Sequence, residues 1–370
     1  MVSLFRGNIV DLPTNASLNY FWCSGFMISS FLVIQVLSGF ILSLSYSPES
    51  LLCFSITTNM ILEGIFTWLV RYAHIWGVTF IFLLFFAHMG RALYYSSYSK
   101  LGVWNVGFVL YLLMMVEAFL GYVLPWHQMS YWAATVLTSI IKSIPFVGDT
   151  VFRYVVGHYC ICGATLSRVY SAHVCLAFII LGVAVVHLFY LHLGGSNNPL
   201  YISNGYSDVV YFHSYYTIKD LYLFVVLFLF CISLMLIVPD FVLDLESFIE
   251  ANPMVTPVSI KPEWYFLAFY AMLRSIESKI GGLVLVIIFL LVLWLPTTNV
   301  ACQYCMGRQF LFWSIVSSFV GLSYLGACHP EFPFTLVSKL LSFLIIVFFC
   351  MFKVLWAVPY SSNDYLRFVS

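Results

Sequence analysis

Long apolar runs alternate with polar connections along almost the whole chain. Eight of these runs are each close to the ~20 residues that a helix needs to cross a bilayer. They cover residues 25–46, 68–90, 105–126, 167–191, 221–239, 281–300, 309–327 and 338–358. Two connections are long, at residues 127–166 and 240–280, and the first has the short amphipathic pattern of a helical hairpin at the membrane surface. The pattern predicts an all-α integral membrane protein with eight transmembrane helices.

Composition supports the same class of protein. Apolar residue types make up 62% of the 370 residues and charged types only 8%, whereas soluble proteins carry about 25% charged residues. A soluble fold is therefore excluded, the lipid bilayer is the expected surrounding, and nucleic acid is not expected as a partner. The N-terminal sequence MVSLFRGNIVDLP lacks a short apolar region with a cleavage site, so no secretory or transit peptide is expected.

Two of the apolar runs each contain a pair of histidines at the same interval. The interval from His74 to His88 equals the interval from His173 to His187. Over this interval of fourteen positions a helix advances about 21 Å and falls about 40° short of four turns, so each pair lies on one helix face at two depths. The second and fourth spans cross in the same direction, so His74 would meet His173 and His88 would meet His187. Two bis-histidine sites of this kind suit haem iron.

Glycines in the first and third spans repeat this interval. It separates Gly25 from Gly39, and it also separates Gly107 from Gly121. Because glycine lets a flat cofactor or a backbone approach closely, these positions could make room for two macrocycles in a diheme four-helix bundle formed by the first four spans. Close packing of helices through small residues would give the same pattern without a cofactor.

Two other functions are compatible with buried histidines. A diheme membrane anchor of an oxidoreductase would share the histidine pairs. A transporter or channel could use the same histidines to relay protons, because ionisable residues within a span are functional candidates in general. In a transporter the four histidines need not face one another and no haem would bind, and the shared interval argues against that function.

Several segments resemble the mitochondrial-type cytochrome b of respiratory complex III. They are RYAHIWGVTFIFLLFFAHMGRALYY, GYVLPWHQMSYW, SAHVCLAFIILGVAVVHLFYLHLGGSNNP, YYTIKD and PEWYFLAFYAMLRSI. The PEWY tetrapeptide at Pro262 to Tyr265 is specific to this family and its photosynthetic relatives. The histidine interval in the fourth span and the single unsplit chain favour the respiratory form. The resemblance covers about residues 15 to 355.

The resemblance implies two non-covalent b-type haems. The implied iron ligands are His74 and His173 for the low-potential haem, and His88 and His187 for the high-potential haem. Arg71 and Arg91 match positions that neutralise haem propionates, although a guanidinium near a carboxylate is also a common surface pair. The implied domains are a diheme bundle with the surface hairpin at residues 1–200, and helices five to eight with the PEWY loop at residues 201–370.

Two quinone sites are also implied. The quinol-oxidising site needs flat apolar walls and a carboxylate that accepts a proton from a quinol hydroxyl, for which Glu263 is the candidate. Its implied residues are Met115, Phe119, Tyr122, Ala134, Pro262, Glu263, Phe266 and Tyr270. The quinone-reducing site would use His192 and Asp220 to supply protons to the reduced ring. Its implied residues are Trp22, His192, Ser196, Lys219 and Asp220.

The implied activity is that of the catalytic subunit of a ubiquinol:cytochrome c oxidoreductase that translocates protons and works only within its complex. The implied partners are a Rieske iron-sulfur protein, a c-type cytochrome subunit, other complex III subunits and a second copy of the chain. The implied location is the mitochondrial inner membrane.

The chain departs from the family pattern at two places. His127 stands where glycine is usual, beside the implied quinol pocket, and the segment VVGHYCICGATLSR replaces a charged, glycine-rich stretch. The first change puts the shape of the pocket in doubt, and the second puts the partner surface in doubt. The ten cysteines of the chain lack paired metal-binding spacing and are expected to be small buried apolar residues.

Overall fold

The computed structural model describes residues 6–200, 208–298 and 304–355. The α-helices in chain order are α1 (Ser24–Ser43), α2 (Cys53–Leu62), α3 (Ile65–Tyr94), α4 (Leu101–Val123), α5 (Gln128–Lys142), α6 (Gly148–Val156), α7 (Gly163–Gly194), α8 (Phe212–Ile237), α9 (Leu267–Arg274), α10 (Lys279–Trp294), α11 (Met306–Ala327) and α12 (Phe334–Cys350). Two short strands, β1 (Pro13–Asn15) and β2 (Val209–Tyr211), pair antiparallel and connect the N-terminal segment to the start of α8.

Seven helices within the described residues are long and apolar enough to cross a membrane: α1 with its preceding turn, α3, α4, α7, α8, α11 and α12. The all-α membrane fold is therefore confirmed. The predicted sixth span corresponds to α10, which has 16 residues and a length of about 24 Å, short of the ~30 Å hydrocarbon core. Pro296 follows α10 closely and favours an extended residue before it, so the helix ends early. The predicted total of eight spans is therefore not confirmed by the described residues.

The first four spanning helices form two closely packed pairs. Helix α1 packs along α3, and α4 packs along α7, whereas packing between the two pairs is much sparser. Across this division, imidazole rings of α3 approach imidazole rings of α7. The candidate cofactor site lies along this division.

The two long connections lie against each other. Helices α5 and α6 pack together, which confirms the helical hairpin predicted within residues 127–166. The backbone of His127 bridges that of Glu250, and the Gln128 amide N–H donates to the Ile249 carbonyl at 2.8 Å. The Gln128 side chain accepts from the Asn252 amide at 2.7 Å and donates to the Val255 carbonyl at 2.6 Å. These bonds fix the acidic connection beside the end of α4.

Two arginines, Arg274 and Arg308, join the C-terminal helices to each other and to the rest of the fold. Arg274 donates to the carbonyls of Leu325, Gly326 and Cys328, and so satisfies the open C-terminal end of α11. Arg308, which is 2% exposed, donates to the Leu93 carbonyl at the end of α3. These contacts hold α11 against α9 at one end and against α3 at the other.

None of the described cysteines forms a disulfide. Cys23, Cys53 and Cys231 are buried as predicted, but Cys160 and Cys175 are exposed, so the prediction is wrong for these two. Cys175 lies on α7, where a small apolar side chain is compatible with lipid, and Cys160 lies in the connection before that helix.

Candidate functional site

The four histidines meet in two pairs. The ring centres of His74 and His173 are 6.4 Å apart, and those of His88 and His187 are 6.5 Å apart. This confirms the predicted pairing and the parallel course of α3 and α7, and it argues against a relay in which the histidines do not face one another. Two metal–imidazole bonds of about 2 Å each, with the offset from nitrogen to ring centre, sum to about 6 Å. Each gap therefore has the width that one metal ion between two imidazoles requires.

Each of the four repeated glycines lies against one histidine ring. A Cβ atom added at Gly39 would lie 3.2 Å from Cε1 of His74, and one at Gly121 would lie 2.8 Å from Cε1 of His173. We call each histidine pair with its two glycines a layer. In the layer of His88 and His187 the corresponding distances are 3.5 Å for Gly25 to His88 and 2.9 Å for Gly107 to His187. The glycines thus make room for the imidazole rings. Close packing of helix backbones does not explain these four glycines, because the atoms nearest to them belong to side chains.

Two serines fix the rings that α3 contributes. Ser38 donates its hydroxyl proton to the Ile34 carbonyl at 2.7 Å and lies 2.9 Å from Nδ1 of His74, so it accepts a hydrogen bond from that ring. In the other layer Ser24 donates to the Phe21 carbonyl and lies 2.8 Å from Nδ1 of His88. With the proton on Nδ1, Nε2 keeps the lone pair that a metal needs. The Ser-Gly dipeptide of α1, which recurs at the histidine interval, was the signal that sequence reasoning missed.

The rings that α7 contributes have different partners. Nδ1 of His173 lies 3.1 Å from the Glu117 carbonyl and 2.9 Å from the carboxyl oxygen of the same residue. Nδ1 of His187 faces the backbone of Val103 without reaching hydrogen-bond geometry. Sequence reasoning missed Glu117, although an acidic residue within an apolar span is itself a signal of function.

Two half-buried arginines lie close to the histidines. Arg91 Nη2 is 3.2 Å from Nδ1 of His88, and the Arg91 guanidinium lies over the Trp22 ring at 5.4 Å. The Nε atoms of both Arg71 and Arg91 are buried without a hydrogen-bond acceptor. An unsatisfied buried donor is costly, and the carboxylate of a haem propionate would satisfy it. The arginines therefore fit a haem better than they fit an apolar core.

The donor set fits the same cofactor. Among the described residues no three His, Cys, Asp or Glu side chains come together to hold a metal ion. Each site thus offers two protein nitrogens on opposite sides of a gap, which suits a metal that brings its remaining ligands in a macrocycle. The histidine spacing, the glycine contacts and the unsatisfied arginines all agree with that conclusion.

A cavity of about 220 Å³ connects the His74–His173 pair to the PEWY segment. Its lining includes Arg71, Glu117, Tyr122, His127, Glu263 and Tyr265. Only Tyr122 and Glu263 come from the predicted quinol-oxidising set. Sequence reasoning did not select Tyr265, which lies in the PEWY motif and stacks on Phe82 with ring centres 4.0 Å apart.

Glu263 has the chemistry that a proton acceptor in this cavity needs. Burial of the carboxyl group, with the nearby charge of Asp244 as a smaller cause, raises the pKa of Glu263 to about 8. Asp244 is itself paired with Lys261 at 3.4 Å. A carboxyl group with a pKa near neutrality can both take up and release a proton under physiological conditions.

The other predicted quinol-site residues are not among the lining residues of the cavity. Phe119 and Ala134 belong to one apolar cluster, and Met115 packs on the main core. The Phe266 ring lies 4.7 Å from that of Tyr265, and the Tyr270 hydroxyl donates to the Ile260 carbonyl at 2.7 Å. Pro262 precedes Glu263 in the same segment.

His127, the departure from the family pattern, is buried and lines the cavity. Its Nδ1 accepts from the Ser130 amide at 3.0 Å, so His127 caps the start of α5. Its ring lies edge-on to Tyr122 at 5.2 Å. Burial, with the Arg71 charge as a smaller cause, lowers the pKa of His127 to about 3, and the imidazole is therefore neutral. The extra ring fills part of the cavity that glycine would leave open.

The residues predicted for quinone reduction lie in two groups. The turn that precedes α1 contacts α8 and brings Cys23 to Asp220. Trp22, in the same turn, lies under the Arg91 guanidinium. Asp220 is buried and accepts from the Cys23 thiol, and the Lys219 ammonium lies 4.3 Å from the centre of the Tyr215 ring.

His192 and Ser196, the other two members of this set, lie half-buried at and beyond the end of α7. Lys100 satisfies that helix end by donating to the Gly194 carbonyl at 2.7 Å. Among the contacts of the described residues, none joins His192 to Asp220.

Comparison with known proteins agrees with this geometry. Residues 9–195 match the family described as "Cytochrome b/b6/petB", and residues 250–357 match "Cytochrome b(C-terminal)/b6/petD". A curated protein named "Cytochrome b" from Brachionus plicatilis is 39% identical over an alignment of 369 residues, which covers 98% of this chain and 96% of the relative. A solved chain titled "Hyperthermophilic respiratory Complex III" superposes with a TM-score of 0.90 at 27% identity and covers 97% of both chains.

These similarities extend over both halves of the protein, including the PEWY segment, which a diheme anchor of another oxidoreductase would not require. The chain therefore belongs to the cytochrome b family and is a multi-pass cytochrome b of a respiratory cytochrome bc complex.

Proposed function

We propose that this chain is the diheme subunit of a ubiquinol:cytochrome c oxidoreductase and is catalytic only within the assembled complex. The observation that carries the proposal is the two facing histidine pairs, each ring of which lies against a glycine. His74 and His173 would hold a low-potential b haem, and His88 and His187 would hold a high-potential b haem. When bound, the two haems would supply one-electron carriers between the two faces of the bilayer.

Arg71 and Arg91 would bind the propionates. Each arginine has a buried Nε atom without an acceptor, so an incoming carboxylate gains a charge-assisted hydrogen bond. The glycines Gly25, Gly39, Gly107 and Gly121 would keep the ligand rings close to their helices and leave the gap between the pairs to the cofactors.

Quinol oxidation would take place in the cavity beside His74 and His173. The rings of Tyr122 and Tyr265 would form flat walls, and Glu263 would accept a proton from a quinol hydroxyl. The pKa of about 8 supports this role, because Glu263 can then release its proton once its side chain has moved from the cavity to water. Met115, Phe119, Ala134, Pro262, Phe266 and Tyr270 would support or extend the pocket from behind its lining.

Quinone reduction would take place at the other end of the bundle, near His88 and His187. Buried Asp220 would supply a proton to the reduced ring, with Lys219 as the neighbouring cation and Trp22 as a wall. His192 and Ser196, at the end of α7, would complete the polar side of this site. Uptake of protons here and release at the Glu263 side would translocate protons across the membrane.

The proposal includes the expected surroundings of the chain. The partners would be a Rieske iron-sulfur protein, a c-type cytochrome subunit, further complex III subunits and a second copy of the chain, in the mitochondrial inner membrane. Residues 1–200 would form the diheme domain, and residues 201–370 would form the domain that carries the PEWY loop. The similarity to a respiratory complex III chain over 97% of its length supports this assignment.

A dithionite-reduced minus oxidised spectrum of the purified complex, with a redox titration and haem counted per polypeptide, tests the proposal. We expect two b-type haems with separate midpoint potentials. A complex without b haem, or with one b haem per chain, would contradict the diheme assignment.

A further inference from the structure

The two histidine layers differ in one charged group. In the layer of His74 and His173, the Glu117 carboxyl oxygen lies 2.9 Å from Nδ1 of His173. Glu117 is only 9% exposed, and its second carboxyl oxygen is buried without a partner. A charged group inside a membrane span is costly, so its presence calls for a function.

The other layer offers an internal comparison. Glu117 precedes Gly121 by four residues, and Val103 precedes Gly107 by the same interval, so the two residues occupy equivalent positions on α4. The backbone of each faces Nδ1 of the histidine in its layer. Only Glu117 adds a carboxyl group, and the two layers therefore differ in the side chain that faces the α7 ligand.

We infer that Glu117 is a positioning residue for His173 and holds down the reduction potential of the haem bound between His74 and His173. The inference rests on the proposed function, because it requires a haem at that pair. It assigns the difference between the two haem potentials in part to this chain's own Glu117 and Val103.

The physical reason is the hydrogen bond and the charge. A carboxyl acceptor at Nδ1–H fixes the ring with Nε2 toward the gap and makes the imidazole a stronger electron donor. A stronger donor and a nearby negative charge both stabilise the ferric ion, which carries one more positive charge than the ferrous ion. In the low dielectric of the bundle interior this interaction is weakly screened. Both effects disfavour reduction of this haem.

Glu117→Gln separates the charge from the contact. The glutamine amide oxygen can still accept from Nδ1–H, so the ring keeps its position while the charge is lost. We expect the equilibrium constant for reduction of this haem to rise about tenfold, which is an upward shift of about 59 mV for a one-electron couple. The other haem should keep its midpoint potential. Glu63→Gln, the same change at an exposed site, should move neither haem.

Glu117→Val makes the His173 layer equivalent to the His187 layer. We expect the same upward shift, together with a changed low-spin ferric EPR signal, because the ring also loses its side-chain acceptor and keeps only the backbone carbonyl at position 117. Two b haems per polypeptide with an unmoved low-potential midpoint in both variants would overturn the inference and leave the proposed function intact. Loss of that haem in Glu117→Gln would assign Glu117 a structural role and would also overturn the inference. Absence of two b haems from the unmodified complex would contradict the proposed function itself.

Discussion

Cε1 of His173 lies 2.8 Å from the position that a Cβ atom on Gly121 would occupy. Real Cβ atoms essentially never show contacts this short, so the ring and the glycine are matched in shape. The same relation links His187 to Gly107, at 2.9 Å. The positions of the ligand rings therefore depend on the space left by the glycines as well as on hydrogen bonds.

Gly121→Ala should displace His173 from its position opposite His74. We expect the haem content to fall from two to about one per polypeptide, as measured by the pyridine haemochrome assay on the purified complex. Gly182→Ala on α7 is the matched control, because a Cβ there meets nothing within 4 Å. Full haem content in Gly121→Ala would show that the glycine contact is dispensable.

Ser38→Ala removes the acceptor for Nδ1–H of His74. Loss of such a partner typically weakens binding at the metal by about 10-fold or more. We expect faster loss of one b haem during detergent washing, followed by the reduced-minus-oxidised spectrum over time. Ser29→Ala, on the exposed side of the same helix, should leave haem retention unchanged. Equal retention in the two variants would rule out a role for the Ser38 contact.

Glu263→Gln should slow quinol oxidation and leave both haems bound. The carboxylate is the base, and its fraction rises as pH increases through the pKa of about 8. Quinol oxidation by the unmodified complex should therefore rise with pH over this range, and the variant should lose this dependence. Steady-state rates between pH 6 and pH 9 measure it, with Glu277→Gln, an exposed acid of the same connection, as the control. An unchanged pH profile in Glu263→Gln would exclude this base.

His127→Ala should destabilise the start of α5 by about 1 kcal/mol, the usual cost of losing an N-cap acceptor. His127→Asn keeps a capping oxygen and should restore most of this stability while it enlarges the cavity. Thermal inactivation midpoints of the three complexes measure the difference.

The pH dependence of the His127 contribution has a defined sign. The pKa of His127 is lowered to about 3, so its stabilisation is complete above the ordinary value of about 6.5 and is lost as pH falls from there toward 3. Equal thermal inactivation midpoints for His127→Ala and His127→Asn would contradict the capping role of His127.

The parts of the site that one helix determines were predictable from the sequence. The histidine and glycine intervals follow from the pitch of a single helix, and the pairing of His74 with His173 follows from the count of spans between them. The partners of these rings were not predictable in the same way. Ser38 and Glu117 meet their histidines only because of how α1 and α4 are rotated about their axes, and the sequence does not state that rotation.

The quinone sites show the same limit. Tyr122 and Glu263 line the cavity, but Phe119, one turn before Tyr122 on α4, packs into a neighbouring apolar cluster. The bond between the backbones of His127 and Glu250 joins two connections far apart in the chain, and no local pattern marks it. The short α10 was not predicted because the span was drawn to residue 300, through Pro296 and the polar residues that follow it, whereas the helix ends at Trp294.

One shared interval occurs in each of the four bundle helices, between Gly25 and Gly39, His74 and His88, Gly107 and Gly121, and His173 and His187. An insertion of one residue inside any of these intervals would rotate one layer by about 100° relative to the other and move it by about 1.5 Å. The remaining three helices could not follow, so one ring would lose its glycine or its partner. Between the two layers, evolution can therefore substitute residues in these helices, but it can neither insert nor delete them.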